Sequence, residues 1–199
     1  MIKNIVFDIG GVLADFRIKE FLTEKGLDGY MIRRVLKASV MNPYWTKFER
    51  GEVTEEETLR AFVEADPDIE SELRLAFTDL KGMLICRDFA IPLITSLKEA
   101  GYQVFCLSNY SKKAYDECAE SLAFMPYLDG CVVSFKVGMT KPDPRMYQFF
   151  LDQYGLKPEA CVFIDDTEEN VEAARQLGFS GIVFRNYEEM LIELRKQAV

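Results

Sequence analysis

Four short clusters carry the reactive groups of this chain: Asp8 with Gly10 and Gly11, Ser108-Asn109, Lys141 before Pro142, and the pair Asp165-Asp166. Each stands at the end of an apolar run or just beyond it, the runs being Ile5 to Phe7, Gln103 to Leu107, Cys131 to Ser134 and Cys161 to Ile164. Their chemistry is complementary. Asp8 and Asp166 can hold a hard divalent cation through oxygen, since Mg²⁺ takes one or two carboxylates together with water and phosphate. The Ser108 hydroxyl and the Asn109 backbone N–H can bind phosphate oxygens, and Lys141 sets a positive charge against the same oxygens. A carboxylate such as Asp8 can attack phosphorus once cationic charge screens the repulsion between two anions. Taken singly, each cluster also has an ordinary reading: a turn cap at Asp8, a helix-capping turn at Ser108-Asn109, a solvated loop lysine, a cap at 165–166. Four in one order, each after its own strand, favour the chemical reading.

The chain contains no histidine. That removes Ser-His-Asp and Cys-His nucleophiles and every His-ligated zinc or iron site. What remains is carboxylate, lysine, hydroxyl or a hard metal held by oxygen. The five cysteines form an odd set without CxxC spacing, and Cys106, Cys131 and Cys161 lie inside apolar runs. They are expected to be buried reduced thiols of a cytoplasmic protein. A net charge of −9 argues against nucleic acid and anionic membrane as partners, because both select basic surfaces. No apolar run approaches the roughly 18 residues of a membrane span, and Met1-Ile2-Lys3-Asn4 lacks a signal-peptide layout.

The elements that must position these groups follow from hydrophobic spacing. Short apolar runs at 5–7, 103–107, 131–134, 161–164 and 181–184 read as buried strands. Between the later ones lie helical patterns: one opening near Pro92 and stopped by Gly101, one over 112–124, one opened by Pro144 with Asp143 as its N-cap, one over 171–177 ended by Gly178, and a last one over 188–197. Strands separated by helices imply parallel βαβ units and a doubly wound α/β sheet, in which the strand ends share one edge. Residues 16–85 break this rhythm. Helical spacing at Ile18/Phe21/Leu22 and Met31/Val35/Leu36, a capping box at Thr54–Glu57 and an amphipathic stretch over 69–80 predict a small all-helical insertion after the first strand. The expected division is a core of 1–15 and 86–199 and a helical cap of 16–85. Trp45, Phe48, Glu49 and Arg50 fall in the middle of the cap, where aromatics either fill its small core or face a substrate.

Phe7-Asp8-Ile9-Gly10-Gly11-Val12, Leu107-Ser108-Asn109, Lys141-Pro142-Asp143-Pro144 and Ile164-Asp165-Asp166 with Asn170 resemble the four ordered motifs of the haloacid dehalogenase-like (HAD) hydrolases. The resemblance covers the whole chain and is most similar to the branch of sugar-1-phosphate phosphatases and the phosphatase domain of soluble epoxide hydrolase. It implies a Rossmann-like core with a helical cap and a Mg²⁺-dependent phosphatase of a small phosphorylated metabolite, such as a sugar phosphate. It further implies Asp8 as nucleophile, Ser108 and Asn109 as phosphate-binding, and Lys141 as steadying both phosphate and Asp8. Asp8, the Gly10 carbonyl and Asp166 would hold the metal, with Asp165 in a supporting position behind them.

One departure stands out. Phosphatases of this superfamily usually carry a second Asp two residues after the nucleophile as general acid and base, and here that position is Gly10. Asp15 or a water on the cap can supply the proton instead. A dehalogenase, which needs no metal, and a catalytically impaired domain acting as a binding module are the alternatives. Monomer and homodimer are equally compatible with the sequence.

Overall fold

The computed structural model describes residues 1–197; the end of the expected core, Ala198 and Val199, lies outside the described residues. In chain order the elements begin with β1 (Asn4–Phe7), β2 (Ala14–Phe16), α1 (Ile18–Glu24), α2 (Gly29–Ala38), α3 (Pro43–Glu49), α4 (Glu55–Ala65) and α5 (Glu70–Thr78). They continue with β3 (Leu84–Cys86), α6 (Ala90–Glu99), β4 (Gln103–Ser108), α7 (Lys112–Glu117), β5 (Gly130–Val133), α8 (Ser134–Val137) and α9 (Pro144–Tyr154). β6 (Cys161–Asp165), α10 (Glu168–Gln176), β7 (Ser180–Val183) and α11 (Tyr187–Lys196) complete the chain.

Five strands form one parallel sheet in the order β5-β4-β1-β6-β7. The chain builds outward from β1 in one direction and then returns to build outward in the other. The reversal makes a crevice at the carboxyl end of β1, the place where open α/β sheets take their ligands. Alternation along the strands fills both faces. Ile5, Phe7, Val104, Cys106, Val162 and Ile164 join one core cluster, whereas Val6, Phe105, Leu107 and Phe163 meet Met146, Tyr147 and Phe150 of α9 in the other. A sheet buried on both faces tolerates little polarity except at its ends, which is where the candidate residues lie.

Between β2 and β3 the chain is entirely helical, and β2 and β3 pair antiparallel as a two-stranded ribbon at its base. Thr54 caps α4 through the reciprocal capping box legible in the sequence. The core of this block is aromatic: Phe77 lies with its ring centroid 5.3 Å from that of Phe48 and 5.5 Å from that of Phe62, and Trp45 stacks on Phe62 at 6.3 Å.

Some elements differ from the sequence reading. The helix expected over 112–124 stops at Glu117, and 3₁₀ turns cover Ala119–Leu122 and Met125–Tyr127. Side chains there bond backbone instead of following a helix: the Ser121 hydroxyl donates to the Leu84 carbonyl and the Cys118 thiol to that of Leu80. The ribbon strands have three residues each, too short for a periodicity signal. The seven-residue α3 is too short to show a clear helical period, although Asn42 caps it and Pro43 opens it.

Candidate active site

Backbone register places the first carboxylate. Phe7 stands opposite Cys106 of β4 and Ile164 of β6, and the Asp8 N–H donates to the Ile164 carbonyl at 2.8 Å. Asp8 thus leaves the sheet beside Asp165, the last residue of β6, and Ser108, the last of β4. Lys141 arrives from the loop between α8 and α9 and is held there by Asn109. The Asn109 amide donates to the Lys141 carbonyl at 3.0 Å and accepts its N–H at 2.8 Å.

The Lys141 ammonium is buried, 2.6 Å from Asp165 Oδ2 and 2.8 Å from Asp8 Oδ1. Desolvation works against its charge, but Asp8 and Asp165 outweigh that and raise its pKa above the ordinary lysine value. Asp165 is saturated: besides Lys141 it accepts from the Thr167 N–H at 2.8 Å and from the Asn170 amide at 3.1 Å. Asp166 is the exposed member of the group and receives the Thr167 hydroxyl at 3.4 Å, and partial burial and the Asp165 charge raise its pKa above the ordinary value. Asp8 is the least settled of the three. Burial lifts its pKa to about 6, with the Lys141 charge pulling it down and the Asp165 charge pushing it up. Its Oδ1 is buried, close to Lys141, and has no aligned hydrogen-bond donor.

One carboxylate oxygen from each of Asp8, Asp165 and Asp166 falls within 4.8 Å of the other two. A single lysine leaves this group short of two positive charges. An oxygen-only donor set with that charge deficit fits a hard divalent cation.

A cavity of about 270 Å³ opens over these groups. Asp8, Gly10, Asn109, Lys141 and Asp166, all singled out in the sequence, line it. Ser108 does not; it is buried, its hydroxyl donates to the Asn109 carbonyl at 3.4 Å, and it helps lower the Asp8 pKa. Two cap residues, Trp45 and Glu49, line the same cavity from α3. Trp45 therefore serves both alternatives considered for it, packing in the cap core and facing the site, while Phe48 is a core residue only. The sequence points to no role for Glu49, because a carboxylate in the middle of a helical insertion shows nothing of the strand ends it will face.

Gly11 makes the close approach at the turn. Its φ is +76°, and a Cβ there would overlap the Asp166 carboxylate. Gly11→Ala is accordingly expected to lose stability by about 1–2 kcal/mol from backbone strain and to displace Asp166. Thermal unfolding and a Mg²⁺ titration of the variant measure the two effects separately.

Comparison with known proteins gives this geometry its context. The profile of the haloacid dehalogenase-like hydrolases matches residues 2–178. The chain is a haloacid dehalogenase-like hydrolase. A sesquiterpene phosphatase from Aspergillus oryzae is 26% identical over 98% of this hydrolase and 95% of its own length. A D-ribitol-5-phosphate phosphatase from Bacteroides thetaiotaomicron is 26% identical over 90% of each chain. A flavin mononucleotide hydrolase from Arabidopsis thaliana is 29% identical over 75% of this chain, which spans 60% of that protein. Among solved structures, a HAD family enzyme from B. thetaiotaomicron in complex with magnesium and inorganic phosphate superposes with a TM-score of 0.69, at 22% identity over 96% of this chain and 99% of its own. The fold, the hydrolase family and the phosphatase type of enzyme agree with the reading from sequence. Among the described residues no helix is long and apolar enough to cross a membrane.

Proposed function

We propose that this hydrolase is a Mg²⁺-dependent phosphatase that works through an aspartyl-phosphate on Asp8. The observation that supports it most is the buried Asp8–Lys141–Asp165 arrangement with Asp166 beside it: a carboxylate held at a cavity floor, one fixed cation and an unmet demand for two more positive charges. Asp8, the Gly10 carbonyl and Asp166 would hold Mg²⁺, which when bound supplies charge against the phosphate oxygens. Asp165 aligns Lys141. Lys141 and the Asn109 N–H bind the phosphate, and Ser108 orients Asp8 from behind. One Asp8 oxygen attacks phosphorus in line with the departing oxygen; water then displaces Asp8 from phosphorus, returning the carboxylate.

The walls bear on the substrate. Phe16, Val40, Trp45, Met83 and Leu84 turn apolar surface to the cavity above the charged floor. Tyr110, Ser111, Thr167 and Asn170 line the same cavity, so apolar and hydroxylated organic parts both find partners there. The reading is a small phosphate monoester, in keeping with both the sesquiterpene phosphatase and the D-ribitol-5-phosphate phosphatase among the relatives. A panel of prenyl, aryl and sugar phosphates, assayed with Mg²⁺ and with chelator, tests it. Turnover of esters from this panel in Mg²⁺ and none in chelator is expected; full activity in chelator contradicts the metal-dependent mechanism.

Asp166→Ala is expected to weaken Mg²⁺ by more than ~10-fold, the loss seen on removing even an outer partner of a metal ligand, with excess Mg²⁺ restoring part of the rate. Rates measured across a Mg²⁺ titration, beside direct binding by calorimetry, check this.

A further inference from the structure

The phosphatase chemistry needs a proton at the departing oxygen, and the carboxylate that would usually sit two residues after Asp8 is missing. The space it would fill is open: a Cβ built on Gly10 meets nothing within 4 Å. Asp15 is no substitute, because it stands on β2 in an ion pair with Arg87 at 3.3 Å and does not line the cavity. The carboxylates that do line it are Asp8, Asp166 and Glu49. The first two belong to the nucleophile and metal side of the site.

We propose that Glu49, reaching the cavity from α3 of the helical cap, is the general acid and base of this enzyme, and that Trp45 is its positioning residue. The inference rests on the phosphatase reading above and supplies the proton donor which that reading lacks. Trp45 Nε1 donates to Glu49 Oε1 at 3.0 Å, one helical turn away. A carboxyl oxygen that accepts from an indole N–H is the carbonyl-like one, so the proton resides on Oε2. The far end of the residue is fixed as well, because the Ser134 hydroxyl of α8 donates to the Glu49 carbonyl at 2.6 Å and so ties the end of α3 to the core.

The electrostatics agree with this placement. Burial lifts Glu49 to about 7. The Trp45 hydrogen bond and the Lys141 charge pull in the other direction, and the Asp8 charge adds to the rise. Asp166 faces the same cavity, and Arg50, next to Glu49, is engaged by Glu52 at 3.2 Å. A group that is half protonated near neutrality can give a proton and take one back in the same cycle.

The steps balance. As the Asp8–phosphorus bond forms and the bond from phosphorus to the organic oxygen breaks, the Glu49 proton passes to that oxygen and the alcohol leaves neutral. Water then attacks phosphorus, its proton returns to Glu49, the Asp8–phosphorus bond breaks, and hydrogen phosphate departs.

The test uses Glu49→Gln, which keeps the shape and still accepts from Trp45, and Trp45→Phe, which removes the donor. Rates are measured for aryl and alkyl phosphates of graded leaving-group pKa, across pH and in saturating Mg²⁺. For wild type, kcat/KM on alkyl esters should fall above about pH 7. In Glu49→Gln that limb should vanish, with alkyl esters losing about 10²–10⁴ in rate and activated aryl esters losing far less, so that the dependence on leaving group steepens. Trp45→Phe should move the limb to higher pH. An unchanged limb in Glu49→Gln, or an equal loss of kcat/KM (which reports the step that expels the alcohol) for every leaving group, overturns the role of Glu49. Such a result would leave the phosphatase reading standing, since activated esters would still be turned over. Wild type inert toward every ester overturns both.

Discussion

Asp8→Asn is expected to abolish turnover, with a loss on the order of 10⁴-fold or more, since removing a nucleophile takes away nearly everything the site does as a unit. The protein should remain folded. Asparagine has nearly the same shape, and the carboxylate it replaces is buried strongly enough to have its pKa lifted to about 6. Removing that charge relieves desolvation and the repulsion from Asp165, which offsets the lost attraction to Lys141. The variant should therefore melt no lower than wild type in chelator at neutral pH. Steady-state rates together with thermal unfolding check this, and substantial turnover by a verified Asp8→Asn preparation would take the nucleophile role from Asp8.

The second large effect falls on stability. Lys141→Met fills the space with an apolar chain of similar length but leaves Asp165, with no exposed surface, and Asp8 without their cation. Breaking a buried pair from one side costs about 3–5 kcal/mol, which for a chain of this size means a fall in Tm on the order of 10 °C. The sign of its pH dependence follows. Asp8 already has a folded pKa of about 6, above its unfolded value, and losing the lysine removes what holds it down, so the folded state binds an extra proton. The deficit should be full at about pH 8 and shrink toward about pH 5 as Asp8 protonates. A Tm difference from wild type that is the same at both pH values would contradict the pairing.

The same linkage separates Glu49 from an ordinary structural residue. Its folded pKa, about 7, lies above the usual value of 4.5, so its charge subtracts stability as pH rises through that window. Glu49→Gln should melt like wild type in acid and higher than wild type above neutrality. A residue kept at the expense of stability is expected in a reactive position.

Most of the scaffold was legible because its signals are local. Each buried strand centres on a short apolar run, α2, α4, α9 and α11 have capping side chains, and the alternation of strands and helices dictates a parallel sheet whose strand ends share an edge. That is enough to bring Asp8, Asn109, Lys141, Asp165 and Asp166 together at one sheet edge from the sequence alone. Pairing between distant short segments was not legible. The β2–β3 ribbon joins two three-residue strands at the two ends of the helical block, and neither has a period to detect. Glu49 was hidden for a related reason. Its function depends on how α3 is set over the strand ends, through the Ser134 contact and the aromatic core around Phe48, and spacing along the chain does not encode that. Ser108 was identified by position, but which way its hydroxyl turns depends on the packing around Asp8.

The central claim is that phosphorus passes through Asp8. Acid quenching of the enzyme during turnover of an aryl phosphate in Mg²⁺, followed by peptide mass spectrometry, tests it directly. The expected result is the mass of one phosphoryl group on the peptide that contains Asp8, lost in Asp8→Asn and in chelator. A phosphoryl group on any other residue, or one on the Asp8 peptide that forms equally well without metal, would contradict the mechanism.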